Sequence, residues 1–252
     1  MWTDAVDLRD FYDTRLGQMA RQLIRRRLRV LWPEVRGETV LGLGYANPYL
    51  RQFRDEAARV LAFMPAGQGV LRWPPEGPNV AALVDEGELP LQDASVDRVL
   101  LVHALEAGER LPELLNEVWR VMAGNGRLLV VVPNRRGIWA RSDRTPFGQG
   151  HPYSPAQLSR LLREHRFTPL RSARALHWPP VRARALLRVA PAWERIGARW
   201  FSTFAGVVMV EAAKQIYAAT AVTARHRRPR AAVLTFPRPA RPAVQRLDTE
   251  RR

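Results

Sequence analysis

Chemistry in this chain would gather where short apolar runs end in small or polar residues. Val40-Leu41-Gly42-Leu43 runs straight into Gly44-Tyr45-Ala46-Asn47-Pro48. Small residues there let backbone approach a ligand closely. A second run, Arg98 to Val102, ends in His103. A neutral imidazole at the end of a strand can act as a general base or hydrogen-bond a substrate, or it can be satisfied within its own loop. Asp85-Glu86-Gly87-Glu88 offers carboxylates either to a ligand or to solvent. The loop Thr145 to Ser154 is rich in Gly, Pro and aromatic residues, and carries His151 and Tyr153. Those two can meet a substrate, or the loop can be a structural one packed by Phe147 and Tyr153.

Other chemistries are excluded by residue type and spacing. The chain has no cysteine, so disulfides, thiolate metal sites and cysteine nucleophiles are ruled out. Its five histidines lie far apart, without a paired metal-ligand spacing. There is no Ser-His-Asp pattern and no phosphate-binding P-loop. No apolar run approaches the roughly 20 residues of a membrane-spanning helix. The N-terminal stretch lacks the basic and apolar regions of a signal peptide, so cytoplasmic residence is the expectation.

The elements that must position these residues follow from hydrophobic periodicity. Leu8, Phe11, Tyr12, Leu16, Met19, Leu23, Leu28 and Leu31 recur at helical spacing, which predicts one amphipathic helix ending near Trp32-Pro33. That helix covers the sheet, or serves as a lid with Phe11 and Tyr12 as its inner lining. Apolar runs at 40–43, 59–64, 79–84, 98–102, 127–132, 167–175 and 205–212 predict strands. Helices are predicted over 49–58, 111–122 and 155–165, the last with Ser154 as N-cap and Pro155 at its first position. Most of the strands are continuous apolar runs, as in strands buried on both faces. Their alternation with helices argues for a doubly wound α/β sheet, which binds ligands beyond the carboxyl ends of its strands.

At 252 residues and 46% hydrophobic content the chain can bury a sizeable core. Three regions are expected: an N-terminal helical cap over 1–37, a main domain over 38–220 with a helical insertion at about 178–200, and a tail over 221–252. The tail holds nine arginines, four prolines and two acidic residues, and is expected to be disordered. The net charge is +16, and Lys214 is the only lysine. Arginine excess with abundant alanine fits the codon bias of a GC-rich bacterial genome. A tail of this kind can also bind nucleic acid or an anionic surface weakly.

One further pattern is specific. Asp93-Ala94-Ser95-Val96-Asp97-Arg98-Val99-Leu100-Leu101-Val102-His103 leads to Val118-Trp119-Arg120-Val121-Met122-Ala123-Gly124-Asn125-Gly126-Arg127-Leu128-Leu129-Val130-Val131-Val132-Pro133. With the loop after residue 43, this order resembles class I S-adenosylmethionine-dependent methyltransferases of the type 11 kind, over about residues 38–175 and more weakly to 212. The resemblance implies a Rossmann-like, mostly parallel seven-stranded sheet, with an antiparallel pair at its edge. It implies S-adenosylmethionine as cofactor, near Gly42, Gly44, Tyr45, Ala46, Met64, Asp85, Glu86 and His103. The family's acidic-x-Gly-x-Gly-x-Gly falls here on Gly42, Gly44, Ala46 and Pro48. Met64 stands where the family has a carboxylate for the ribose, and Asp85 where it accepts from the adenine amino group. His103, His151 and Tyr153 are the catalytic candidates. The implied activity is methyl transfer to an acceptor, expected to be a small molecule. The altered positions leave a catalytically inactive binding module as an alternative, and the arginines an RNA-binding or RNA-modifying relative.

Overall fold

The computed structural model describes residues 4–108, 110–181, 193, 194 and 196–216. Most of the expected insertion at 178–200 and all of the expected tail at 221–252 lie outside these residues. Five strands form the parallel body of one sheet: β1 (Thr39–Gly44), β2 (Arg59–Pro65), β3 (Ala81–Val84), β4 (Val96–Val102) and β5 (Met122–Pro133). Two more, β6 (Phe167–Ala175) and β7 (Val207–Lys214), complete it. The order is β3-β2-β1-β4-β5-β7-β6, and β7 runs antiparallel to both of its neighbours. The doubly wound, Rossmann-like expectation holds, with the switch in strand order between β1 and β4. Leu100, Leu101, Leu128, Leu129 and Val130 are fully or almost fully buried, which explains their continuous apolar runs.

Helices α1 (Ala5–Asp13), α2 (Arg15–Leu31) and α3 (Asn47–Leu50) pack on one face, and α4 (Leu111–Val121) and α5 (Pro155–Glu164) on the other. The capping box of α5 is present, with Ser154 and Gln157 satisfying each other's backbone N–H groups. Asp97 accepts from the backbone N–H of Thr39 at 2.9 Å and so fixes the start of β1 beside β4.

Two helices differ from expectation. The single N-terminal helix is broken at Thr14, whose extended backbone ends α1 and caps α2. Its hydroxyl donates to the Phe11 carbonyl at 2.6 Å and accepts from the Gly17 N–H at 3.0 Å. A β-carbon on Gly17 would stand 2.0 Å from the Phe11 carbonyl oxygen, so the tight elbow requires glycine. The elbow lays α1 across the end of the sheet, where the Ala5 N–H donates to the Gln68 carbonyl at 2.8 Å. The helix expected over 49–58 closes after α3 and one 3-10 turn at Arg51–Phe53. Beyond it the Glu56 carbonyl accepts from Gly37, the Ala58 N–H donates to Glu38, and the Glu56 carboxylate pairs with Arg29 of α2. Tertiary partners there replace the helical ones.

The far edge is tied to α2 through a buried carboxylate. Glu211 on β7 accepts from the Trp32 indole at 3.1 Å and from Arg171 on β6 at 2.6 Å. Arg171 also donates to the Leu31 carbonyl at 2.5 Å, which caps the end of α2. Among the described residues no helix is long and apolar enough to cross a membrane.

Candidate functional site

A cavity of about 420 Å³ opens beyond the carboxyl ends of β2, β3 and β4. Its walls are residues 65–68 after β2, Asp85 and Glu86 after β3, and His103, Ala104, Ala107, Gly108 and Arg110 after β4. This is where a doubly wound sheet presents loop residues to a ligand. Asp85 Oδ1 accepts from Gly87 N–H at 2.7 Å and from Arg110 at 3.0 Å. The carboxylate is thus oriented at the rim while its side chain remains 60% exposed.

His103 is the centre of a buried polar chain. It is 4% exposed and adopts φ of 52°, a left-handed backbone that is costly for a non-glycine residue. Gln68 Nε2 donates to its carbonyl at 3.0 Å and helps to hold that conformation. Its Nδ1 lies 3.0 Å from Glu106 Oε1, and its Nε2 lies 2.9 Å from the Tyr12 hydroxyl. The Tyr12 and Tyr49 hydroxyls are 2.8 Å apart. A carboxylate oxygen can only accept, so the imidazole donates from Nδ1 and accepts from Tyr12, which accepts from Tyr49. The Tyr12 ring stacks on Tyr45 and meets His103, while Phe147 closes the other side of the imidazole at 5.1 Å. Of the two residues that would line a lid in the alternative to a sheet-covering helix, Tyr12 stands between the loop after β1 and the end of β4, and Phe11 packs on Tyr12 and Phe147.

The loop after β1 has a different task from the cavity walls. Gly44 has φ of 81°, and a β-carbon there would stand 2.3 Å from the Val102 carbonyl oxygen. A β-carbon on Gly42 would meet the Leu50 and Ala46 side chains at 2.6 and 2.7 Å. The position that is acidic in the family is therefore filled by packing of α3 on β1. Tyr45 and Ala46 are buried in the same layer. Met64 is fully buried, with its sulfur 3.9 Å from Asn47 Nδ2.

The remaining sequence candidates lie at the margin. His151 is exposed, and its backbone N–H donates to the Glu106 carbonyl at 2.9 Å. Tyr153 is half-buried, with its hydroxyl 3.4 Å from the Leu105 carbonyl. Neither lines the cavity, whereas Asp85, Glu86 and His103 do. Sequence reasoning missed Gln68, Glu106, Arg110 and Tyr49. The available signals were a glutamine within the small-residue turn Ala66-Gly67-Gln68-Gly69 and an acidic residue three positions after His103. Among the described residues no cluster of three potential metal ligands occurs.

Burial pushes the phenols of Tyr12, Tyr45 and Tyr49 well above the usual tyrosine range. For Tyr12 the neighbouring Tyr49 adds to the effect, and for Tyr45 the Asp13 carboxylate does. An acid whose folded pKa is raised stabilises the fold fully below its unfolded pKa and loses that contribution as pH rises past it. Thermal stability is expected to stay level up to about pH 10 and then to fall, each phenol contributing up to about 1.4 kcal/mol per pH unit. Melting curves from pH 8 to 11.5 check this, with Tyr12→Phe giving the shallower decline. A melting temperature unchanged at pH 11.5 would show that the three rings are solvated in solution.

The seven-stranded sheet, its strand order and its antiparallel edge pair define the class I methyltransferase fold. The family model described as "Methyltransferase domain" matches residues 41–130, from β1 into β5. Over this span the sequence matches that family model, as its motifs indicated. A S-adenosylmethionine-dependent methyltransferase of Thermotoga maritima, described as a possible histamine N-methyltransferase, superposes with a TM-score of 0.60 at 14% identity. That match covers 85% of this chain and 98% of the other. A Haloferax volcanii protein solved in complex with the Trm112 methyltransferase activator gives 0.59 at 19% identity, over 84% and 99% of the two chains. A S-adenosylmethionine-dependent methyltransferase of Mesorhizobium loti gives 0.55 at 16% identity, over 75% and 96%. No curated protein matches the sequence significantly.

Proposed function

We propose that this chain transfers a methyl group from S-adenosylmethionine to a small-molecule acceptor. The observation that carries the reading is the cavity at the ends of β2, β3 and β4, with Asp85 and Glu86 on its rim. The donor set suits the nucleoside part of the cofactor: the Asp85 and Glu86 carboxylates would accept from its amino and hydroxyl donors, and the 65–68 turn would form the wall beside it. S-adenosylmethionine supplies an electrophilic methyl on a sulfonium, so the protein's share is to bind, orient and exclude water. Here α1 and the loop at Pro146–Gly148 exclude water around His103. Both imidazole nitrogens are engaged, Nδ1 by Glu106 and Nε2 by Tyr12, so His103 could receive a proton from an acceptor only at Nε2 after the Tyr12 hydroxyl moves away.

Titration calorimetry with S-adenosylhomocysteine tests the reading. Binding at micromolar to submillimolar concentration is expected, with Asp85→Ala weakening it about tenfold, the loss of one charge-assisted hydrogen bond. No heat at millimolar ligand would sink it.

A second reading is favoured by a specific observation. Tyr12 stands over the loop after β1, Leu50 and Ala46 fill the space beside Gly42, and Met64 replaces a ribose-binding carboxylate. In that reading the domain binds a nucleoside in its cavity without transferring a methyl. Nucleoside binding without transfer of label from methyl-labelled S-adenosylmethionine to any amine, phenol or carboxylate panel compound would select it.

A further inference from the structure

Beside the main cavity lies a crevice of about 20 Å³. Gln68, His103 and Ala107 line both spaces, and Pro146, Gln149 and Gly150 of the loop after β5 close the far side. Two of its walls are polar and almost fully buried, Gln68 at 7% and Glu106 at 5% exposure. Each carries one oxygen, Gln68 Oε1 and Glu106 Oε2, with no hydrogen-bond partner among the described residues.

The orientation of both groups is fixed. Gln68 Nε2 donates to the His103 carbonyl, which can only accept, so the amide cannot be turned over. Glu106 Oε1 is taken by the imidazole at 3.0 Å. The Glu106 backbone is held by the His151 N–H, and a β-carbon on Gly150 would stand 2.2 Å from the Glu106 carbonyl oxygen. Two residues that wall the crevice therefore carry unmatched acceptors, one on a carboxylate; both oxygens lie beneath its surface, where a donor reaches them once a neighbouring side chain shifts slightly. Buried acceptors of this kind are costly to leave unmatched.

We infer that Glu106 and Gln68 form a subsite for the amino head group of the methyl acceptor, presented from the main cavity. A primary amine brings the two or three N–H donors that the two oxygens require, and in its ammonium form it complements the carboxylate. The crevice has room for a group of that size and for no larger one. A hydroxyl supplies a single donor and no charge. A carboxylate or phosphate head is repelled by Glu106. The word acceptor in this inference rests on the methyltransferase reading, whereas the preference for an amine rests on the crevice alone.

The test uses three probes that share an apolar body and differ in the head: 2-phenylethylamine, 2-phenylethanol and 3-phenylpropionate. Each is titrated into the full chain, alone and with saturating S-adenosylhomocysteine. The amine is expected to bind at least about tenfold tighter than the alcohol, and the acid not to bind, the increment of one charged hydrogen bond. Glu106→Gln is expected to abolish the difference between amine and alcohol. If that variant does not fold, the three-probe comparison on the unaltered chain decides alone. Equal binding of amine and alcohol, or no binding of the amine, overturns the inference and leaves the crevice to water. Loss of S-adenosylhomocysteine affinity in Glu106→Gln with no effect on the amine also overturns it, and assigns the crevice to the nucleoside ligand. Failure of S-adenosylhomocysteine to bind the unaltered chain counts against the methyltransferase reading, and the amine titration remains readable by itself.

Discussion

Gly44→Ala is expected to destabilise this protein by about 3 kcal/mol, lowering its melting temperature by roughly 6–12 °C. Two effects add. The backbone at residue 44 has φ of 81°, where a β-carbon costs about 1–2 kcal/mol. That carbon would also stand 2.3 Å from the Val102 carbonyl oxygen and 2.9 Å from Ala104 Cβ. Both neighbours belong to β4 or its immediate continuation, and a central strand cannot yield as an exposed side chain does. The next N–H, that of Tyr45, donates to the same Val102 carbonyl at 2.8 Å, so any shift that relieves the clash lengthens this bond. Gly67→Ala is the control. It has no positive φ and no neighbour within 4 Å among the described residues, and its melting temperature should stay close to that of the unaltered chain. A Gly44→Ala variant melting within 2 °C of the unaltered chain would refute the argument, a criterion of roughly 0.5–1 kcal/mol.

The difference between these two glycines also marks what the sequence could disclose. The strands were legible because most are buried on both faces, and only near-continuous apolar runs meet that demand. Ser154 was legible because it acts within its own motif, on the helix that it starts. The helix expected over 49–58 was not, because its residues find better partners in Arg29, Gly37 and Glu38 than in each other. The break at Thr14 was hidden by an apolar period that continues through it. Only the Thr14-x-x-Gly17 spacing signals the new cap. At the site, Asp85, Glu86 and His103 could be placed because they follow strands directly. The contacts of Tyr12 with Tyr49 and His103 span 37 and 91 residues, and no local pattern encodes them.

The arginine content reads differently once its partners are known. Arg98 grips Glu38, Arg171 grips Glu211, and Arg120 joins Glu117, Asp93 and the carbonyls of Leu89 and Leu91. Arg166 and Lys214 flank the Trp119 ring at 4.2 and 4.1 Å. These cations belong to the fold. The guanidinium groups of Arg98, Arg120 and Arg171 serve as forked clamps on loops and strand ends, a use for which lysine is a poor substitute. Each such pair uses up a carboxylate as well, so the pairing leaves the net charge of +16 unchanged.

Tyr12→Ala is expected to change stability and ligand affinity in opposite directions. The ring is 2% exposed, stacks on Tyr45 and carries hydrogen bonds to Tyr49 and His103, so its removal should cost about 3–5 kcal/mol, or roughly 6–20 °C of melting temperature. The same ring stands over the loop after β1, where the amino-acid part of S-adenosylhomocysteine would lie if the ligand binds as the motif order implies. Binding then requires the ring to leave, and the observed affinity is reduced by the fraction of molecules in which it has left. Removing the ring lifts that reduction, so S-adenosylhomocysteine should bind about tenfold more tightly to a less stable protein. Methylthioadenosine, which lacks the amino-acid part, should bind both forms alike. Tyr12→Phe keeps the ring and removes the two hydrogen bonds, and should lower stability by about 1–3 kcal/mol with little gain in affinity. Calorimetry and thermal melts on the three proteins give both readings. Weaker binding of S-adenosylhomocysteine to Tyr12→Ala would mean that the ring is a wall of the ligand site, and α1 a lid that closes over the ligand instead of standing in its place.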